Sequence, residues 1–160
     1  MRLPFSYVLT FFTVIAKASQ TNGGSLMNKI QQEILTDKPV FVGLEDSLKN
    51  WKICIRHAGA IVFEHSLPTY YPNLKQFFLN KFPKCRIKVI YEAGFQGFWL
   101  YYLLAADGFD CVVTPPHTVT DEKNSKMKTD RIDARRLAKN LENNDYKACR
   151  IPAKRETPIS

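Results

Sequence analysis

Four carboxylates stand where secondary-structure elements end or begin, and that is where sheet proteins commonly do chemistry. Glu45 closes the apolar run Val40–Glu45 (VFVGLE), and Glu92 follows the run RIKVIY. Asp130 and Asp133 lie three apart in the segment KTDRIDA, a spacing that puts both carboxylates on one face of a helix. In an open α/β sheet, sites form at the carboxyl ends of adjacent strands, so Glu45 and Glu92 converge if their strands are neighbours. Carboxylates gathered in this way repel one another and stay ionised only when cations neutralise them. Hard oxygen donors of this kind select Mg²⁺ or Mn²⁺. Two such ions about 4 Å apart can activate a nucleophile and stabilise the leaving oxygen of a phosphodiester displacement.

Each acid also has a plainer role. Glu45 and its neighbour Asp46 could end a strand in a polar turn, and Glu92 could be a loop residue before Ala93-Gly94. Thr129 is a good N-cap, and Asp130 and Asp133 then favour the helix dipole in its first turn. It is their joint placement on one topology that argues for a site. Basic residues surround the last two acids: Lys123, Lys126, Lys128, Arg131, Arg135, Arg136 and Lys139. Of these, Lys126, Lys128, Arg131 and Arg135 are the candidates for holding nucleic-acid phosphates, a salt-dependent and largely sequence-independent contact. The competing reading is a solvated helix face. Arg131 and Arg135, four apart, share a stripe, whereas Arg136 is expected to point elsewhere.

The elements that must position these groups emerge from periodicity. Residues 27–39 read as a polar lead-in with a helical turn or two. Val40–Glu45 suits a buried strand. Trp51–His57 (WKICIRH) alternates with period two, the mark of a half-buried strand. The tight turn Ala58-Gly59-Ala60 then makes residues 51–65 a hairpin. Leu74, Phe77, Phe78 and Phe82 recur at helical spacing within residues 69–82. Arg86–Tyr91 is a strand, Phe98–Ala106 an apolar helix stopped by Gly108, and Phe109–Thr114 a strand ended by Pro115-Pro116. A polar stretch leads to a helix over about residues 129–143, and residues 150–160 form a tail. The order β-β-β-α-β-α-β-α implies an α/β fold with a mixed sheet flanked by helices, in the ribonuclease-H topology.

Composition sets the limits. The 160 residues carry Lys+Arg 23 against Asp+Glu 15, a net charge of +8, which favours a polyanionic partner. With 45% hydrophobic and 24% charged residues, collagen, coiled-coil and disordered readings are excluded. Cys54, Cys85, Cys111 and Cys149 are widely spaced with no zinc-ligand pattern, which suits a reducing compartment. Residues 1–26 stand outside the expected fold. Met1–Ser19 resembles a secretory signal peptide and is too short for a membrane span of ~20 apolar residues. The alternative is translated upstream sequence before a start at Met27. The intracellular character of the chain from Met27 onward favours this second reading, and with it a cytoplasmic protein and no membrane partner. Trp99, Tyr101 and Tyr102 read as core packing, and His57, His65 and His117 are isolated.

The segment Lys128-Thr129-Asp130-Arg131-Ile132-Asp133-Ala134, together with Leu137-Ala138, resembles the signature of the DEDD transposases of bacterial insertion sequences, relatives of the Piv-type DNA invertases. Tyr91-Glu92-Ala93-Gly94, Val112-Val113-Thr114-Pro115 and the opening Val42-Gly43-Leu44-Glu45 resemble its other motifs in the same order. The resemblance spans roughly residues 40–149. It implies a RuvC-like domain that acts on DNA with Mg²⁺ (or Mn²⁺) in transposition or recombination. Carried over by position, Glu45, Glu92, Asp130 and Asp133 are then the catalytic and metal-binding set. It also implies a guide RNA from the same element and a homo-oligomer in full-length relatives.

Two departures stand out. The family has aspartate where this chain has Glu45, and one extra methylene shifts a metal ligand on a scale that matters to catalysis. The family also continues into a C-terminal domain with a serine nucleophile, whereas this sequence stops at Ser160. The expectation is a truncated copy that is inactive alone, with a non-catalytic nucleic-acid-binding remnant as the alternative.

Overall fold

The computed structural model describes residues 24–47, 49–94, 97–116 and 130–154, without the side chains of residues 24–28 and 130–132. In chain order the elements are α1 (Gly24–Leu35), β1 (Pro39–Asp46), β2 (Asn50–His57), β3 (Ala60–Pro68), α2 (Tyr71–Lys81), β4 (Arg86–Glu92), α3 (Trp99–Ala106), β5 (Asp110–Thr114) and α4 (Asp130–Glu142). The five strands form one sheet in the order β3-β2-β1-β4-β5. β1, β2 and β3 pair antiparallel, while β4 joins β1 in parallel and β5 joins β4 in parallel. This mixed sheet flanked by helices is compatible with the expected ribonuclease-H-like fold.

Alternation along the strands divides the side chains between two layers. Val40, Val42 and Leu44 of β1 share one core with Ile53 and Ile55 of β2 and Ile87, Val89 and Tyr91 of β4. Leu35 of α1, Leu74 and Phe78 of α2, and Leu100 and Leu104 of α3 complete it, so three helices cover one face. The other face belongs to α4. There Ala134 and Ala138 pack with Cys54 of β2, and Leu137 and Leu141 pack with Ile90 of β4. β2 is therefore covered on both sides rather than half-buried. Cys54 sits beneath the helix at 1% exposure. Burial, reinforced by Glu64, pushes its thiol up to about 12 and keeps it protonated at neutral pH.

Two local features differ from the sequence expectation or sharpen it. α1 is a full 12-residue helix starting at Gly24, ahead of Met27, and it is anchored by Leu35, which is fully buried. The β2–β3 turn places Ala58 and Gly59 both at positive φ, 49° and 80°. Such a two-residue turn matches the twist of the strands that it joins. Among the described residues no helix is long and apolar enough to cross a membrane; Met1–Ser19 lies outside the described residues.

α2 and α3 are tied by Asp107, which accepts a 2.6 Å hydrogen bond from the Tyr71 hydroxyl and a 3.0 Å bond from Lys75 Nζ. These partners, the tyrosine first, hold the Asp107 carboxyl below its ordinary value. A carboxylate depressed in the folded state stabilises the fold above its unfolded pKa, about 4. That contribution is lost as pH falls through the lower folded value. Asp107→Asn is therefore expected to melt below wild type at pH 7, with the gap closing towards pH 3. A gap that stays constant across this range in paired thermal melts would refute the assignment.

Candidate carboxylate site

The register of the sheet decides where the strand-end acids stand. β1 and β4 run parallel, with Val42 opposite Val89 and Leu44 opposite Tyr91 as the last pair. Glu45 and Glu92 each come one residue later, side by side at the carboxyl ends of adjacent strands. Both fall on the face that carries Gly43 and Ile90, the face covered by α4. Across the sheet Glu45 pairs with Lys52 of β2, and Glu92 with Thr114 of β5. The end of β4 is held firmly. Tyr91 donates a 3.0 Å hydrogen bond to the Gly97 carbonyl and accepts one of 3.2 Å from the Tyr101 amide, and the Ala93 amide bonds the Thr114 carbonyl at 2.9 Å.

Asp46 stands on the opposite face, where its carboxylate accepts a 3.0 Å hydrogen bond from the indole of fully buried Trp51. Burial raises its pKa and this bond partly offsets the rise. Strand alternation thus separates two adjacent acids: Glu45 faces α4 and Asp46 serves the main core.

α4 brings the third acid. A Cβ added at Gly43 would lie 2.1 Å from the Ala134 carbonyl oxygen and 2.5 Å from the Ala138 amide nitrogen, so the helix backbone rests directly on β1. Ala134 and Ala138, four apart, are small enough to allow that approach. In consequence Asp133, only 9% exposed, is carried to the strand ends. Asp130 lies in the first turn of the same helix, and its side chain is outside the described set.

Arg136 joins the acids together. Its Nη2 donates a 2.6 Å hydrogen bond to Glu92 Oε1 and lies 3.8 Å from Asp133 Oδ1. Arg136 does leave the side taken by Arg135, as expected, since Arg135 turns to Glu64 of β3 and Arg136 to Glu92 of β4, but it was not among the expected site residues. Its i,i+3 spacing from Asp133 is the sequence signal that locates it. A helical wheel gives the bearing of the Cβ but not the reach of a guanidinium beyond the helix edge. Arg136 and Glu92 also open on a cleft of about 610 Å³ whose walls include Thr114, Asn140, Tyr146 and Lys147.

Of the expected phosphate-holding residues, Lys126 and Lys128 lie outside the described residues, as does the side chain of Arg131. Arg135 is engaged with Glu64 of β3 through two hydrogen bonds, one from its Nε and one from its Nη2 at 2.8 Å. A phosphate would have to compete with that carboxylate for the guanidinium.

The hard oxygen donors of Glu45, Glu92 and Asp133 suit Mg²⁺ or Mn²⁺ in chemistry and in placement at one end of the sheet. Among the described residues no three His, Cys, Asp or Glu side chains gather closely enough to hold a metal ion. The cation between Glu92 and Asp133 is instead the guanidinium of Arg136.

Comparison with known proteins completes the assignment. A family model for DEDD transposases of insertion-sequence type 110, described as "Transposase", matches residues 46–157. The matched span holds Glu92, Asp130 and Asp133 and begins one residue after Glu45. Two Sinorhizobium fredii proteins that carry transposase names are similar to shorter segments. The first, y4rJ, is 41% identical over 54 residues, 33% of this chain and 14% of its own length. The second, y4qE, is 36% identical over 62 residues, 39% of this chain and 16% of its own length. The match thus spans about a sixth or less of either relative. With the family model covering well over half of the chain, this protein belongs to the DEDD transposases of bacterial insertion sequences.

Proposed function

We propose that this chain forms a RuvC-like domain that binds DNA and takes part in transposition or site-specific recombination, with Mg²⁺ (or Mn²⁺) held by Glu45, Glu92, Asp130 and Asp133. The supporting observation is the alignment of Glu45 and Glu92 at parallel strand ends beneath the helix that carries Asp133. A bound divalent cation would supply charge neutralisation at a phosphodiester and activation of a nucleophile. The chain's own groups orient the donors: the sheet register fixes the spacing of the two glutamates, and the close helix approach at Gly43 fixes Asp133. DNA is the proposed partner. The guide RNA and self-assembly implied by the family resemblance belong to the same proposal.

The pairing of Arg136 with Glu92 favours a second reading, a nucleic-acid-binding module without metal chemistry. Calorimetric titration of Mg²⁺ and Mn²⁺ into the full chain, beside an Asp130→Ala, Asp133→Ala double variant, separates the two. Binding by wild type that disappears in the variant is expected. A well-folded wild type that binds neither ion would eliminate the catalytic reading and leave the second.

A further inference from the structure

The three acids and one arginine at the strand ends form a charge arrangement that the sequence motif does not convey. Glu92 and Asp133 come from different elements, and like charges brought together cost free energy unless a cation stands between them. Here that cation is covalently part of the protein. Arg136 reaches Glu92 at 2.6 Å and Asp133 at 3.8 Å, with side chains 31%, 26% and 12% exposed respectively. A guanidinium is planar, always charged and able to serve two acceptors at once. It also has room to turn, because Arg136 lines an open cleft of about 610 Å³.

From this geometry we infer that Arg136 is a resident counter-cation that yields its place when a divalent cation binds Glu92 and Asp133, and that its guanidinium then turns into the adjoining cleft as a phosphate-binding group. The inference rests on the proposed metal-binding reading and adds a regulation of that site. Two cations drawn to the same pair of carboxylates repel each other, so each occupancy weakens the other. Metal affinity is therefore lowered by whatever Arg136 contributes to the metal-free molecule. Release of the guanidinium beside Lys147 on the cleft wall turns metal binding into a gain of positive charge where a nucleic-acid strand passes. Arg136 thus couples the order of binding: metal first favours phosphate second.

The test compares wild type with Arg136→Gln and Arg136→Lys in the full chain. Mg²⁺ titration by calorimetry is expected to give about tenfold tighter binding for Arg136→Gln, which corresponds to about 1.4 kcal/mol. Arg136→Lys keeps the charge on a shorter stem that reaches Glu92 less closely, and is expected to fall between the two. Thermal melts supply a second readout. Arg136→Gln should melt below wild type in EDTA, and saturating Mg²⁺ should raise its melting temperature by more than it raises that of wild type. Binding of a fluorescent single-stranded oligonucleotide should strengthen with Mg²⁺ in wild type and not in Arg136→Gln. Wild-type Mg²⁺ binding with no tighter binding in either variant would overturn the inference and leave the metal reading standing. Absence of Mg²⁺ binding in wild type and in both variants would overturn the metal reading itself, and the inference with it. Binding by Arg136→Gln alone would support the inference, with Arg136 as a complete block.

Discussion

Gly43→Val is expected to lower the melting temperature by on the order of 10 °C or more, the largest loss of any single substitution considered. The glycine lies in the middle of β1, where the backbone of α4 approaches so closely that even one added carbon would sit 2.1 Å from the Ala134 carbonyl. The nearest atoms are main-chain atoms, so no side chain can rotate away to relieve the clash. The helix must lift from the sheet. Overpacking a well-filled interior commonly costs about 1–3 kcal/mol, and displacement of a whole helix puts the cost at about the top of that range or beyond. Lifting α4 also uncovers Cys54 and Ile90, which are buried beneath it. It carries Asp133 away from Glu45 and Glu92 as well, so Mg²⁺ binding at the proposed site is expected to weaken together with stability. Calorimetric melts with metal titrations on the same samples check both. A melting temperature within about 2 °C of wild type would mean that the helix does not rest directly on β1.

Glu142→Ala carries the second largest expectation, about 3 kcal/mol of destabilisation. Glu142 ends α4 and binds the β2–β3 hairpin through two contacts, accepting from Arg56 Nε at 3.0 Å and from the Gly59 amide at 3.1 Å. The Arg56 and Glu142 side chains are only 15% and 11% exposed, so truncating the acid leaves a largely desolvated guanidinium without its carboxylate. Removing one partner of such a pair costs more than the pair's net worth, because the remaining charge stays buried. Arg56 keeps its bond to the Gly59 carbonyl at 3.0 Å, which softens the loss without cancelling it. The double substitution Arg56→Met, Glu142→Leu removes both charges and should recover most of the stability, as judged by urea denaturation. If Glu142→Ala alone matches wild type, the hairpin does not anchor the helix, and the orientation of Asp133 has to depend on Gly43 and its neighbours alone.

Both substitutions concern how one helix is seated, and that is where sequence reading was weakest. The strands were legible because their signals are local. WKICIRH alternates, VFVGLE and RIKVIY are compact apolar runs, and Ala58-Gly59 makes a turn with a short-range signature. The placement of Glu45 and Glu92 side by side needed one further assumption, that β1 and β4 are neighbours, and the register meets it. Arg136 escaped because its partner Glu92 is 44 residues away along the chain. Its nearer partner Asp133 was in view at i,i+3, but that spacing does not say which way a long side chain turns. The engagement of Arg135 with Glu64, 71 residues away, was hidden for the same reason. The length of α1 was underread although Met27, Ile30 and Ile34 recur at helical spacing, because the segment reads as a polar lead-in with its start set at Met27.

The sequence by itself determined the element order from β1 onward, the alternation that separates Glu45 from Asp46, and the family signature in KTDRIDA, because each of these is set by residues adjacent or one turn apart. Only the tertiary structure decided that α4 alone covers one face of the sheet while α1, α2 and α3 cover the other. It likewise decided that Arg136 stands between Glu92 and Asp133. The reason is physical. Local propensity fixes which face of an element is apolar, but which face of the sheet that element covers depends on the packing of residues far apart in the chain. Here a glycine in β1 and two alanines in α4 permit a backbone approach too close for larger side chains, and the charges at the strand ends are arranged by that approach.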